Sequence, residues 1–234
     1  MSYRILTRNS KTIVSLDFDR FKTCPQICSY CYVATTERIY KAYSAKLKTN
    51  YELALNDPKG FAEQLNSEYT KLKNSKSKDV QLINKLPVRI YGSGDYIPIH
   101  YEFMKNLDFK FYIISKSLTL STMEKQIESL LKLDNLTSIV LSLDIDNKAN
   151  YEKIKKFKNI DRLKISFTGT NEQYEERIAK GEKYDIFFLI SDKKVDREYA
   201  RKFKEQCPCD TRLIAHEAAC TKCNKCWRSS FTKK

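Results

Sequence analysis

Six short runs along the chain are either continuously apolar or alternate apolar and polar residues with a period of two. The first, TIVSLDF (12–18), sets Val14, Leu16 and Phe18 on one side and Ser15 and Asp17 on the other. VRIYG (88–92), FKFYIIS (109–115), SIVLSLD (138–144), RLKISFT (162–168) and YDIFFLIS (184–191) follow. They are rich in Ile, Val, Phe and Tyr and bounded by polar residues or glycine, which predicts strands. Between them the period becomes helical. Met123, Ile127, Leu130 and Leu131 recur at helical spacing behind Ser121, with Glu124 in the capping-box position. Segments 149–157 and 171–180 read the same way, the second stopping before Gly181 as at a C-terminal cap. Asp196 is placed to cap a helix running to about Gln206. Two more helices are expected over 33–48 and 58–73, followed by a polar, mobile loop, KNSKSKD (73–79).

Strands alternating with helices predict an α/β fold with a parallel sheet and crossover helices. Six such units point to a partial (β/α)6 barrel over 1–200. An open doubly wound sheet is the alternative that periodicity leaves standing. The alternation stops near 203–206, and the cysteine-rich tail, 201–234, is too short to build a core and needs a staple.

Composition narrows the chemistry. No apolar run approaches the roughly 18 residues of a membrane helix, and MSYRILTRNSK has no apolar signal segment. A cytoplasmic location without a membrane partner is expected. In a reducing compartment, clustered cysteines are metal ligands or catalytic groups more often than disulfides. All eight lie in two groups: Cys24, Cys28 and Cys31, then Cys207, Cys209, Cys220, Cys223 and Cys226. The net charge of +14 suits nucleic acid or another anionic partner. Yet 32 Lys against 11 Arg, with abundant Tyr, Ile and Asn, is also the composition that an AT-rich genome produces.

CPQICSYCY (24–32) directly follows the first predicted strand. In parallel β/α folds, ligands gather at the C-terminal ends of strands. Three thiolates leave one iron of a 4Fe–4S cube open to the amine and carboxylate of a small molecule. A zinc knuckle is the other reading; it more usually brings CxxC pairs, and only His100 and His216 are available as histidine ligands.

The CxxxCxxC run, with the aromatic Tyr30 before its last cysteine, resembles the signature of the radical S-adenosylmethionine superfamily. The resemblance implies that Cys24, Cys28 and Cys31 hold a 4Fe–4S cluster whose open iron binds S-adenosylmethionine. Reductive cleavage would then yield a 5′-deoxyadenosyl radical that abstracts hydrogen from a substrate. An electron donor such as a flavodoxin or ferredoxin would be the partner, and Tyr30 would lie near the adenine. In YGSGDY (91–96), Gly92, Ser93, Gly94 and Asp95 stand where superfamily members carry a glycine-rich stretch that meets the methionyl amine, with Asp95 in place of Glu. Among polar residues at strand ends, Ser142 and Asp144 are best placed to hold the ribose, the carboxylate or the substrate. Ser115, Lys116, Ser166, Thr168 and Asp192 are weaker candidates. His100 reads as an exposed position more readily than as a catalytic one.

The tail reads CPCDTRLIAHEAACTKCNKCW (207–227). Cys220, Cys223 and Cys226 form CxxCxxC, and Cys207 or Cys209 can close a fourth position. By count, zinc and a second 4Fe–4S cluster fit equally. The tight run resembles a bacterial ferredoxin loop without its following proline, and many superfamily members carry an auxiliary cluster in a C-terminal extension; both favour 4Fe–4S over zinc. Ser93-Gly94-Asp95 together with Cys207-Pro208, Thr211 and Cys220 to Trp227 resembles a phage-type group within the superfamily. That resemblance implies Cys207 as the fourth ligand, Cys209 as the extra one, a spare thiol or an alternate ligand, and a phage-encoded protein acting in a host cytoplasm. His216 reads as a polar loop residue and Trp227 as a shield for the cluster. The competing function is a zinc-stapled, basic nucleic-acid-binding protein without catalysis, its tyrosines stacking on bases. The two readings also merge, as a radical enzyme acting on nucleic acid, while peptide and small-metabolite substrates stay open.

Overall fold

The computed structural model describes residues 4–8, 14–25, 28–74, 86–119, 123–145, 151–191, 193–208, 223 and 225–227. Within them, each of the six predicted runs contains a strand: β2 (Val14–Leu16), β3 (Val88–Ile90), β4 (Phe111–Ser115), β5 (Leu136–Asp144), β6 (Leu163–Gly169) and β7 (Ile186–Leu189). A two-residue strand, β1 (Thr7–Arg8), precedes them and pairs antiparallel with β2. Two residues are too few for alternation to register, and the sequence offers no other sign of it.

The sheet order is β1 to β7 without a reversal, and β2 to β7 are parallel neighbours. A doubly wound sheet needs a point where the order reverses. The monotonic order removes that alternative, and the sheet curls as a six-stranded half-barrel.

Alternation along the strands sorts two faces. Val14, Leu16, Val88, Ile90, Phe111, Ile113, Ile139, Leu141, Leu143, Ile165 and Phe167 join one cluster with helix residues such as Phe61, Leu65, Phe103, Ile127 and Tyr174. The opposite, inner face mixes polar residues, Ser15, Arg89, Ser138, Ser142, Asp144, Lys164 and Ser166, with Tyr112, Val140 and Ile186. In a closed eight-stranded barrel branched apolar side chains fill that space; here hydroxyls and charges share it with Val140 and Ile186.

The helices are α1 (Arg20–Thr23), α2 (Tyr32–Ile39), α3 (Lys41–Asn56), α4 (Pro58–Lys73), α5 (Tyr101–Met104), α6 (Glu124–Leu131), α7 (Tyr151–Ile154), α8 (Asn171–Ala179) and α9 (Lys194–Ala200). The helix expected over 33–48 is two, broken at Tyr40, whose φ of −112° and ψ of 87° leave the helical region. The second of them runs eight residues past the expected end, to Asn56. α4 matches its expected span, begun by Asp57, whose carboxylate accepts from Gly60 N, and by Pro58 in the first turn. α8 opens with a capping box between Thr170 and Gln173, and Gly181 beyond its end has φ +85°. Asp196 lies inside the first turn of α9, where it accepts from the Ser191 hydroxyl at 2.5 Å, and it does not cap the helix. α9 ends at Ala200 because the chain then turns back to the sheet: Phe187 N donates to Glu205 O at 2.8 Å and Cys207 N to Phe187 O at 2.7 Å. Ser121 and most of 73–79 lie outside the described residues. Among those described, no helix is long and apolar enough to cross a membrane.

Candidate functional site

The first cysteine group sits on a loop that leaves the C-terminal end of β2. Asp19 starts α1 by accepting from Phe21 N at 2.9 Å, and Cys31 is the residue from which α2 begins. Between these helices Cys24, Cys28 and Cys31 are half-buried with free thiols. Arg20 Nε donates to Glu37 Oε2 at 2.7 Å and so joins the two helices across the base of the loop. The three thiols lie within electrostatic reach of one another. Burial, then Asp95 and the thiols of Cys28 and Cys31, push the Cys24 thiol up to about 12, with Lys116 pulling the other way.

Facing the loop is a group the sequence separates by more than eighty residues. Lys116, just past β4, donates to Cys28 Sγ at 2.6 Å and to the Tyr30 hydroxyl at 2.7 Å. It forms an ion pair with Asp144 at the end of β5. The Tyr30 hydroxyl in turn donates to Asp144 Oδ2 at 2.5 Å, and Lys116 Nζ lies 4.9 Å from the centre of the Tyr30 ring. Burial works against the Lys116 charge, but bonds to Asp144 and Cys28 outweigh it and hold the pKa above the ordinary lysine value. Burial and the neighbouring Asp144 likewise raise the Tyr30 phenol. Tyr30 and Asp144, both candidates from sequence, are thus brought together, and Lys116, the weaker candidate, is the residue that joins them to Cys28.

Gly92 to Asp95 occupy the gap between the ends of β2 and β4. Phe18 N donates to Ser93 O at 3.0 Å, Ser93 N to Asp17 Oδ1 at 3.0 Å and Ser93 Oγ to Phe18 O at 3.1 Å. A Cβ at position 92 would lie 2.2 Å from Asp17 Oδ1, and Gly94 has φ +81°, so both positions require glycine. Asp95 is buried, and its carboxylate accepts at Oδ1 from Tyr96 N, Ser115 Oγ and Ser117 Oγ, and at Oδ2 from Lys116 N and Ser117 N. Asp95 therefore positions the backbone of Lys116. Asp17, which sequence reasoning overlooked, anchors the same turn; its polar side chain in an apolar run was the available signal. His100 is the reverse case. It is fully buried, its ring centre 4.3 Å from that of Phe18 and its Nδ1 2.9 Å from the Tyr91 hydroxyl, and is no exposed loop residue.

Ser142 is paired in register with Ser166, and Asp144 with Thr168. All four lie on the inner face, and Ser166 Oγ is buried without a hydrogen-bond partner among the described residues. The tail meets this face at its other end. Ser138 Oγ donates to Cys226 O at 2.5 Å, Lys164 Nζ bonds to Lys225 O, and the Trp227 ring lies 5.2 Å from that of Tyr112. Lys225 Nζ holds Lys204 O and Gln206 O at 2.7 and 3.0 Å, which brings the segment ending at Cys207 beside it. Lys164 feels the thiols of both Cys226 and Cys223, although burial, the larger effect, lowers its pKa. Tyr112, Ser138 and Lys164 are near the N-terminal ends of their strands, whereas Asp144 and Lys116 are at the C-terminal ends. Cys24, Cys28 and Cys31 therefore lie at the opposite end of the half-barrel from Cys223 and Cys226. Cys209, Cys220, Thr211, His216 and Asp192 fall outside the described residues.

Among the described residues, no three His, Cys, Asp or Glu side chains are grouped to hold a single metal ion. Cys24, Cys28 and Cys31 are a soft sulfur donor set of the kind that takes zinc or iron–sulfur groups. A cube attaches one thiolate per iron and so draws its ligands from farther apart than one ion does, and three half-buried thiols on one loop fit that demand.

No curated protein and no solved structure matches the chain. A family model does, over nearly its whole length: on residues 4–229, the chain belongs to the Gene product 88 family.

Proposed function

We propose that this protein is a radical S-adenosylmethionine enzyme whose Cys24, Cys28 and Cys31 hold a 4Fe–4S cluster. The observation that carries the reading is placement: the three-cysteine loop leaves the first parallel strand at the end of the half-barrel where ligands of such folds bind. When bound, the cluster supplies an electron that cleaves the sulfonium of S-adenosylmethionine to a 5′-deoxyadenosyl radical.

The chain's own residues supply position and shelter. The Arg20–Glu37 pair closes the loop on itself, and the turn Gly92 to Asp95, bonded to Asp17, Phe18 and Thr23, holds the strand ends in register. Asp144, Lys116 and Tyr30 present charge and hydroxyl to the mouth of the inner face, where a ribose, an amine or a carboxylate would find partners. Ser142, Ser166 and Thr168 extend that polar surface inward. The second cysteine group, at the far end, is read as a support or electron relay built on Cys207, Cys220, Cys223 and Cys226, with 4Fe–4S favoured over zinc. Two groups at opposite ends of the half-barrel do not share one substrate.

The test is anaerobic reconstitution with iron and sulfide, then iron counting, then an assay for 5′-deoxyadenosine after reduction with S-adenosylmethionine present. The reading expects a brown protein absorbing near ~400 nm, as iron–sulfur proteins do, and 5′-deoxyadenosine as product. A colourless protein binding only zinc under those conditions overturns it.

A further inference from the structure

Each cysteine group has one inner-face lysine beside it: Lys164 near Cys223 and Cys226, and Lys116 against Cys28. Lys116 is the more firmly held. Its ammonium touches the Cys28 sulfur, the Tyr30 hydroxyl and the Asp144 carboxylate, three partners from the loop and a neighbouring strand. Its backbone N–H is fixed as well, donating to Asp95 Oδ2 at 3.0 Å. Asp144 is fully buried, and its Oδ2 lies 4.0 Å from the same sulfur. A lysine anchored at both ends presents its charge at a set place.

Hydrogen bonds to ligating sulfurs and the local net charge set the potential of a thiolate-bound iron centre. Reduction adds negative charge, which a nearby ammonium stabilises and a nearby carboxylate opposes. We propose that Lys116 is a positioning residue that sets the reduction potential of the centre held by Cys24, Cys28 and Cys31, and that Asp144 tempers it. Lys116 donates to the Cys28 sulfur and favours the reduced state; Asp144 draws part of that charge away. The proposal rests on the iron–sulfur reading of the first cysteine group.

Its test is a spectroelectrochemical titration of the full-length, anaerobically reconstituted protein without S-adenosylmethionine, with iron counted in each sample. Lys116→Met should shift the midpoint to more negative potential at unchanged iron content, and Lys116→Arg should stay near the parent value. Asp144→Asn, which removes the opposing charge, should shift it the other way. Opposite signs are the signature of electrostatics, because a loop loosened by either substitution would move both variants alike. Unchanged midpoints, or shifts of the same sign, overturn the proposal and leave the iron–sulfur reading intact. A parent protein that forms no reducible centre overturns that reading itself, and this proposal with it.

Discussion

Arg20 and Glu37 form an ion pair 2.7 Å long with side chains only 11% and 10% exposed, and it joins the helix before the cysteine loop to the helix after it. Both charges are largely withdrawn from water, so removing one strands the other. Arg20→Ala should cost about 3 kcal/mol in urea unfolding, within the range for a broken buried pair. Replacing both, by Arg20→Met with Glu37→Leu, should recover most of that loss. A cost below that of an ordinary surface substitution would show that the pair does not hold the loop.

The cysteines should separate by function. Cys28→Ala should abolish 5′-deoxyadenosine formation in the reconstituted protein. Cys223→Ala should keep it while losing substrate turnover, because Cys223 is at the other end of the half-barrel. Loss of cofactor cleavage in both, with both folded by circular dichroism, would contradict the division of labour.

Gly94 and Gly181 both have positive φ, +81° and +85°, yet only Gly94 is hemmed in. An added Cβ there would lie 2.7 Å from Thr23 Oγ1 and 3.0 Å from Phe18 O, while at 181 it meets nothing within 4 Å. Gly181→Ala should cost about 1 kcal/mol, the penalty for a left-handed alanine. Gly94→Ala should cost more in the same unfolding assay, because backbone must also shift. Equal losses would mean that the turn is less tightly packed than its contacts indicate.

His100 predicts a dependence on acid. Burial lowers its pKa from 6.5 to about 3, so it folds as the neutral imidazole. A depressed pKa means that the unfolded chain takes up a proton first as pH falls. The stability contribution is complete above about pH 6.5 and is lost progressively toward pH 3. By pH 4 the loss should reach about 3 kcal/mol. Measured as the difference between the parent and His100→Phe, the urea-unfolding free energy should be flat above pH 7 and fall below it. A flat difference down to pH 4 would contradict the burial of this ring.

Much of this architecture is written in local pattern. Apolar or alternating runs a few residues long are enough to locate β2 to β7, since a strand buried on one face demands alternation and one buried on both reads as a continuous apolar run. The ends of helices were less legible. Tyr40 breaks a helix without glycine or proline, and Ala200 ends one because the following residues pair with β7. The second cause is not local. The roles of Asp95 and His100 were hidden for a similar reason: a polar residue after a strand looks the same whether it faces a cavity or five internal donors.

The sequence by itself determined which residues alternate, and hence the strands, and where the CxxxCxxC run falls relative to the first of them. Those are properties of neighbours along the chain. Folding in three dimensions brings Cys28, Tyr30, Lys116 and Asp144 together, turns Asp95 onto Lys116, and sets Cys24, Cys28 and Cys31 at the opposite end of the sheet from Cys223 and Cys226. Such meetings depend on strand order, register and curl, which together fix the distance between residues remote in sequence. No local period encodes them.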